Sequence, residues 1–224
     1  VWKYTVPEGE EAGYASIIVV EAGGVKQYVQ FLAKGLVGVD AKSGKLLWRY
    51  GKTAEGSMAN IPTPVAHDGL VYSAAGQSGG GLVRLKADKG EVAADPVYFD
   101  TALPNSIGGS VQIGDYLYGA NRKDGLMCVE FVTGKVKWKA PALGAGAVCF
   151  ADGRLYFHGE DGRVALVEAT PEGYREKGLF TPPDVPERPK GAKAWAYPVV
   201  ANGRLYVRDL GTLWCYDIKD AAAK

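Results

Sequence analysis

The sequence predicts an all-β propeller of about five four-stranded antiparallel blades, because two short elements recur together along the chain. The first is a tight turn followed by a strand with a tyrosine, and these tyrosines lie 44, 46, 38 and 50 residues apart, at Tyr28, Tyr72, Tyr118, Tyr156 and Tyr206. The second element keeps the same spacing and is described below. The 31 glycines and 13 tyrosines among 224 residues also favour tight turns between aromatic strands over helices.

The first element carries hairpin chemistry. Asp68-Gly69, Asp152-Gly153 and Asn202-Gly203 each stand between two apolar runs. Both central residues of a type I′ turn need positive φ, which Asp, Asn and Gly tolerate best. We therefore expect a two-residue hairpin at each copy.

The second element is a strand that ends at an acidic residue, a turn with glycine, and a further strand. Its two best copies run from Asp40 through Gly44 to Trp48 and from Glu130 through Gly134 to Trp138. Weaker copies lack the tryptophan and place Lys86, Glu168 and Asp217 at the acidic position. A carboxylate there accepts hydrogen bonds from turn N–H groups, and the tryptophan packs between sheets, so both predict structural roles.

The pattern Asp-x-x-Ser/Thr-Gly-x-x-x-Trp resembles the pyrroloquinoline-quinone-like (PQQ-like) repeat, and the resemblance runs from Trp2 to Asp217. In that family the pattern joins the third and fourth strands of a blade. The family includes quinoprotein alcohol and glucose dehydrogenases, the outer-membrane assembly lipoprotein of Gram-negative bacteria, and secreted bacterial proteins, which this chain resembles most. The resemblance implies a bacterial protein that is periplasmic or secreted.

The repeat predicts one propeller domain, or a fragment of one, with blades at about 12–50, 58–101, 106–140, 144–181 and 192–220. Trp2 lies 46 residues before Trp48, in phase as a fourth strand, whereas the last blade ends near Ile218 without one. Residues 1–7 are therefore expected to complete that blade and close the ring. The alternative is part of a larger propeller, because the family usually has seven or eight blades. The start at Val1 suggests a trimmed, excised or engineered piece, and residues 221–224 form a polar tail.

The residues of quinoprotein chemistry do not map onto this chain. The dehydrogenases carry adjacent cysteines and calcium ligands, whereas Cys128, Cys149 and Cys215 are far apart and are expected to be buried free thiols. The cluster of Glu8, Glu10 and Glu11 is expected to be solvated. We expect no catalytic residue, no cofactor and no metal, and a degenerate or partial quinone-dependent oxidoreductase is the alternative.

A proline-rich insertion from Thr181 to Lys193 predicts an exposed loop, which either only connects two blades or binds a partner. Its candidate binding residues are Arg188, Lys190, Lys193 and Trp195. The run from Gly76 to Gly81 predicts a flexible hairpin tip. His67 and His158 have no neighbouring ligand residues and are expected to be structural.

Charge and hydropathy exclude two classes of partner. The net charge of +1 gives no electrostatic basis for binding nucleic acid or an anionic membrane surface. No apolar run reaches the roughly 18 residues of a membrane span. The sequence thus predicts a non-catalytic scaffold for a protein, peptide or glycan, with self-association if blades are missing.

Overall fold

The computed structural model describes residues 1–219 and confirms the all-β propeller architecture. Five antiparallel sheets follow one another along the chain, and we number them blades 1 to 5. Blades 1 to 4 each have four strands, and blade 5 has three. Among the described residues no helix has the length and apolar character of a membrane span. The helical turns are short 3₁₀ segments at Pro7–Gly9, Lys52–Ala54 and Pro141–Leu143.

In each blade the strands are paired in chain order. Blade 1 consists of β1 (Ile18–Ala22), β2 (Val25–Leu32), β3 (Gly35–Asp40) and β4 (Leu46–Tyr50). Blade 2 consists of β5 (Val65–His67), β6 (Leu70–Ala75), β7 (Gly79–Asp88) and β8 (Glu91–Asp100). Blade 3 consists of β9 (Ser110–Ile113), β10 (Tyr116–Asn121), β11 (Gly125–Glu130) and β12 (Val136–Ala140). Blade 4 consists of β13 (Gly146–Ala151), β14 (Arg154–Gly159), β15 (Val164–Glu168) and β16 (Glu176–Phe180). Blade 5 consists of β17 (Val199–Ala201), β18 (Arg204–Asp209) and β19 (Thr212–Asp217).

The hairpins between first and second strands form where the sequence predicts them. Asp68, Asp152 and Asn202 have φ values of 46°, 47° and 52°, and each is followed by a glycine that also has positive φ. This is the geometry of a type I′ turn, whose twist matches that of the strands it joins. The five sheets lie within the five residue ranges given above.

The core lies between neighbouring blades. One cluster joins blades 1 and 2 around Phe31 and Val83, a second joins blades 2 and 3 around Leu82 and Met127, and a third joins blades 3 and 4. Among residues 1–219, the buried residues of the cluster between blades 4 and 5 are Val164, Leu205 and Val207. Within residues 1–219 this last interface therefore has the fewest buried apolar residues.

At two repeat positions the strand pairing selects a residue one or two places away from the one that the sequence repeat predicts. Tyr72, Tyr118 and Tyr156 pair with Leu82, Cys128 and Leu166, but in blade 1 the corresponding pair is Val29 with Gly38. Tyr28 therefore faces the other side of its sheet, since a one-residue shift reverses the direction of a side chain. In blade 2 the acidic position falls on Arg84 rather than Lys86, because the hairpin of β7 and β8 is elongated.

The predicted closure by residues 1–7 is wrong for this structure. Residues 1–6 form no strand, and Trp2 packs on blade 1, where its Nε1 donates to the carbonyl oxygen of Ala41 at 3.0 Å. Within residues 1–219, β19 pairs only with β18 and its other edge is open. The predicted tail at 221–224 lies outside the described residues.

Two local expectations also need correction. Glu10 is not solvated: its side chain is only 1% exposed and its carboxylate pairs with Arg49, while accepting the backbone N–H of Lys34 at 2.6 Å. The glycine-rich run forms a hairpin tip only at residues 76–78, because Gly79 begins β7 and the glycines from there to Gly81 are buried.

Candidate functional site

The carboxylate of the repeat holds its own turn together. Oδ1 of Asp40 accepts hydrogen bonds from the backbone N–H of Lys42 at 3.0 Å, and from the N–H and hydroxyl of Ser43 at 2.6 and 2.7 Å. These bonds from Ser43 lower the pKa of Asp40 below its usual value. Glu130 accepts from the Thr133 hydroxyl, and Asp217 accepts from the N–H of Lys219 at 3.1 Å. These acids stabilise turns and face no common cavity.

Glu168 occupies the same position but uses ion pairs. Its carboxylate lies 2.9 Å from the amine of Lys177 and 3.1 Å from the guanidinium of Arg175. The hydrogen bond from Lys177 is the main reason that the pKa of Glu168 is lowered. Lys177 lies on β16 and Arg175 lies just before it, so both cations belong to the same hairpin as Glu168. This acid is therefore also bound within its own blade.

Three aromatic rings pack on the repeat turns of blades 1, 3 and 4. Trp2, Tyr98 and Trp138 pack on the turn of the following blade, and we call them the inter-blade rings. Their N–H or O–H groups donate to the carbonyl oxygens of Ala41, Phe131 and Thr170 at 3.0, 2.8 and 2.8 Å. Each acceptor lies one or two residues after the acidic position. Trp48 differs, because its Nε1 donates to Gln27 of its own blade.

The glycine of the repeat is required by this packing. Gly44 and Gly134 have φ of +72° and +75°, where any other residue is strained. A Cβ on Gly44 would clash with the ring of Trp2, and a Cβ on Gly134 would lie 3.2 Å from the ring of Tyr98. The glycine of the Ser/Thr-Gly dipeptide thus leaves room for the inter-blade ring to pack directly against the backbone of the turn.

A cavity of about 270 Å³ opens on the side where the blades are linked, which we call the connector face. The links from blade 1 to 2, 2 to 3 and 3 to 4 contribute residues, and so do the hairpin tips of blades 2, 3 and 4. Side chains that define it are Met58, Gln77, Asn105, Ile107, Arg122 and Glu160. The cavity therefore collects groups from all of the first four blades.

Charge in this cavity is uneven. Glu160 lies 3.3 Å from the amine of Lys193, so its charge is balanced. Arg122 is exposed and makes no ion pair within residues 1–219. Met58 is 86% exposed although it is apolar, and its backbone N–H donates to Gln77 at 3.2 Å. Met and Arg are both enriched at protein interfaces relative to the rest of the surface.

The predicted binding loop borders the cavity, but not all four candidate residues are free. Arg188 pairs with Asp209 and donates to the carbonyl oxygen of Glu160 at 2.8 Å, so it fixes the loop to blades 4 and 5. Lys193 pairs with Glu160. Lys190 is exposed, and Trp195 is 51% exposed.

Tyr197, which follows the loop, reaches the wall of the cavity through Ile107. Tyr197 is 45% exposed, and its hydroxyl donates to the carbonyl oxygen of Ile107 at 3.1 Å. Arg122, Met58 and Tyr197 were not singled out from the sequence. The charged run Arg122-Lys123-Asp124 is the available signal, since charged residues between two apolar strands indicate an exposed turn.

The histidines do not share a site. His158 is fully buried, its Nδ1 lies 3.1 Å from the carbonyl oxygen of Ala196, and burial lowers its pKa. Asp209 and Arg188 lie near it beneath the loop. His67 is half exposed at the opposite end of the blades, 3.3 Å from Asp68.

The thiols also differ from the expectation of burial. Only Cys128 is buried, and burial raises its pKa to about 11. Cys149 is partly exposed and Cys215 is exposed. They lie on three different blades, and residues 1–219 contain no group of three or more His, Cys, Asp or Glu arranged to hold a metal ion. These residues do not fit a calcium-bound quinone.

Comparison with known proteins supports the architecture. The comparison with curated proteins gave no match. BamB from Moraxella catarrhalis is similar at 17% identity and a TM-score of 0.61, over 93% of this chain and 57% of that one. The quinohemoprotein alcohol dehydrogenase ADHIIG from Pseudomonas putida HK5 has 15% identity and a TM-score of 0.58, over 97% and 43%. The computationally designed Ika8 protein has 8% identity and a TM-score of 0.60, over 90% and 58%.

At these identities the solved structures show the fold alone, and the chain spans only 57% of the BamB structure. The family model is more specific. The model described as outer membrane protein assembly factor BamB matches residues 1–140 and 103–171, which is more than half of the sequence. The chain therefore belongs to the PQQ-like repeat propeller family of the outer membrane protein assembly factor BamB.

Proposed function

We propose that this chain is a non-catalytic scaffold that binds a partner polypeptide on its connector face. One observation carries the proposal: exposed Met58 and Arg122 line one cavity of about 270 Å³, and the half-exposed Tyr197 bonds to Ile107 in its wall. Trp195 is exposed two residues before Tyr197. Met, Arg, Trp and Tyr are the side chains enriched in the cores of protein interfaces. A polar glycan would not need the apolar surface of Met58.

The electrostatics narrow the chemistry of the partner. Because Glu160 is neutralised by Lys193, Arg122 leaves the cavity with an excess positive charge. An Arg guanidinium prefers a carboxylate, which it can bind with two parallel hydrogen bonds. The proposed ligand is thus a peptide segment with an Asp, Glu or terminal carboxylate next to apolar or aromatic side chains.

The proposal includes a location outside the cytoplasm. The family description names an assembly factor for outer membrane proteins, and this supports an extracytoplasmic role. Because the chain spans 57% of the BamB structure, its five blades are proposed to act as a continuous arc of a propeller.

The test is selection of peptides from a random displayed library, followed by calorimetric measurement of binding. We expect enriched peptides to be acidic and aromatic, and Arg122→Glu to weaken them by at least about tenfold, or ~1.4 kcal/mol. Arg208→Glu is the matched control, since Arg208 is exposed on β18 of blade 5 and does not line the cavity.

Two results would contradict this function. One is equal loss of affinity in both arginine variants, which would reduce the effect to overall charge. The other is micromolar binding of pyrroloquinoline quinone with Ca²⁺ by the parent chain, which would favour the oxidoreductase alternative. Met58→Ala should also weaken the selected peptides.

A further inference from the structure

The rings of Trp48, Tyr98 and Trp138 occupy one fixed register position on the fourth strands of blades 1 to 3, and blade 4 has no side chain there. On the fourth strand this position pairs with the third-strand residue just before a β-bulge: Gly38 with Trp48, Leu82 with Tyr98, and Cys128 with Trp138. In blade 4 the same position, before the same bulge, pairs Leu166 with Gly178. Gly178 thus stands where the other three four-stranded blades have an aromatic residue.

The consequence is an apolar groove of about 420 Å³ between blades 4 and 5. Gly178, Tyr156 and Leu166 line it on blade 4, and Leu205, Tyr216 and Ile218 line it on blade 5. At the equivalent place between blades 3 and 4, the ring of Trp138 lies between Tyr118 and Tyr174, with centroids 6.1 and 5.9 Å away. Tyr156 occupies the position of Tyr118, so one wall of the aromatic site is already present.

The groove also offers the polar partner of such a ring. The backbone N–H of Ala41 and Phe131 each donate to a carbonyl of the preceding hairpin, at 2.9 and 2.8 Å. Ile218 makes the same bond to Gly203 at 3.0 Å, which identifies it as their equivalent. The carbonyl oxygens of Ala41 and Phe131 accept from the inter-blade rings. In blade 4 the equivalent residue is Ala169, and Trp138 donates to the carbonyl of the next residue, Thr170. By this equivalence the acceptor for a ring N–H in the groove is the carbonyl of Ile218 or of the residue after it.

We propose that this groove binds the tryptophan side chain of a partner polypeptide. The occupant follows from continuity with the neighbouring interfaces, where an indole or phenol carried by a polypeptide strand fills the same place. The groove provides apolar walls for the ring and a carbonyl for its N–H. It lies between blades 4 and 5 and shares no residue of the cavity on the connector face, so it does not rest on that function.

The probe is N-acetyl-L-tryptophanamide, an uncharged tryptophan with peptide groups on both sides. We expect saturable one-to-one binding by calorimetry, and binding at least about tenfold weaker for the 1-methylindole analogue, which lacks the N–H donor. Free indole is the comparison ligand. Binding of indole with exclusion of N-acetyl-L-tryptophanamide would identify a small-molecule site and overturn the polypeptide assignment.

The decisive variant is Gly178→Trp. A Cβ at Gly178 meets no atom within 4 Å, so the new ring can occupy the groove. We expect this variant to abolish binding of the probe and to raise the melting temperature by about 2–4 °C. Gly173→Trp is the matched control, because Gly173 has the same free space but lies in the turn of blade 4 away from the groove.

The control should bind the probe as the parent does. Unchanged binding in Gly178→Trp, or equal loss in both variants, would overturn the proposal. If Gly178→Trp does not fold, Leu205→Gln places a polar group in the same wall, and retention of full affinity by that variant would have the same meaning.

Discussion

At the scale of single residues, three buried polar residues, His158, Asp209 and Glu160, lie under the loop between blades 4 and 5. His158 is fully buried, and Asp209 is 3% exposed and paired with Arg188. One atom of each of the first two, Nε2 of His158 and Oδ1 of Asp209, has no hydrogen-bond partner within residues 1–219. A charge added here is costly because no solvent is present to stabilise it.

His158 should make the protein less stable as the pH falls from 7.5 to 5.5. Burial lowers the pKa of His158 in the folded state below its ordinary 6.5. Above pH 6.5 both states are neutral, whereas below it the unfolded state takes up the proton first, and the free energy of unfolding decreases. Urea unfolding at the two pH values measures this change, and His158→Gln should diminish it.

The control for this measurement is His67→Gln, because His67 is half exposed. It should keep the pH dependence of the parent. If both variants lose the dependence equally, or if neither does, His158 is not its source.

At the scale of elements, the inter-blade rings explain how short strands form a stable stack. Each blade is a twisted sheet whose two faces need cover, and the rings connect the fourth strand of one blade to the turn of the next. A ring placed at this point buries apolar area and satisfies a turn carbonyl at the same time. The stability of a blade therefore depends on its neighbour, as in other repeat proteins.

Removal of one such ring should lower the free energy of unfolding substantially. Trp138 is 8% exposed and donates to Thr170 at 2.8 Å. We expect Trp138→Ala to lower the free energy of unfolding by about 3–5 kcal/mol, because a cavity remains between two blades. Trp138→Phe keeps most of the packing and loses the hydrogen bond, at a cost of about 1 kcal/mol. Chemical denaturation followed by circular dichroism gives both values, and equal losses would show that packing contributes little.

At the scale of the whole molecule, the five blades form an arc with an open edge. The third strands β3 and β11 are almost entirely buried, whereas every second residue of β19 is exposed, with Leu213 at 65%. In the part of the chain that the structure describes, this edge has no strand beside it. Open edges with apolar side chains pair readily with other chains.

The 224-residue chain should therefore associate with itself at high concentration. We expect sedimentation to show a mass that rises with concentration, and Leu213→Lys to suppress this rise because a charge on an edge strand opposes pairing. Val132→Lys is the control, since Val132 is exposed in the turn of blade 3. The experiment is run with reductant because Cys215 is exposed on the same strand. A strictly monomeric parent would contradict the prediction.

The parts of this fold that the sequence predicts are those with local causes. The Asp-Gly and Asn-Gly hairpins need only two residues, so Asp68, Asp152 and Asn202 form them as expected. Positions set by distant residues are not predictable in this way. Glu10 is buried because Arg49 reaches it from 39 residues away, and the one-residue shift of Tyr28 follows from pairing across β2 and β3.

The candidate sites show the same division. The proline-rich loop was recognisable from the sequence, but the role of Arg188 depends on Asp209, which belongs to the next blade. Met58 and Arg122 lie in different blade links and tips, and only the fold brings them to one cavity. The groove at Gly178 requires the register of β15 and β16, which no pattern in the sequence reveals.

The long hairpin of blade 2 makes this blade structurally different from the other four. A surface built from repeats presents a nearly equivalent hairpin on each blade. A partner that contacts only the features common to all repeats could therefore bind at several blades. The strands β7 and β8 have ten residues each and extend past Arg84, ending in the tip at Lys89 and Gly90. This overhang, braced by the pair of Lys86 and Asp95 at 2.6 Å, breaks the pseudo-rotational symmetry and distinguishes one blade from the other four.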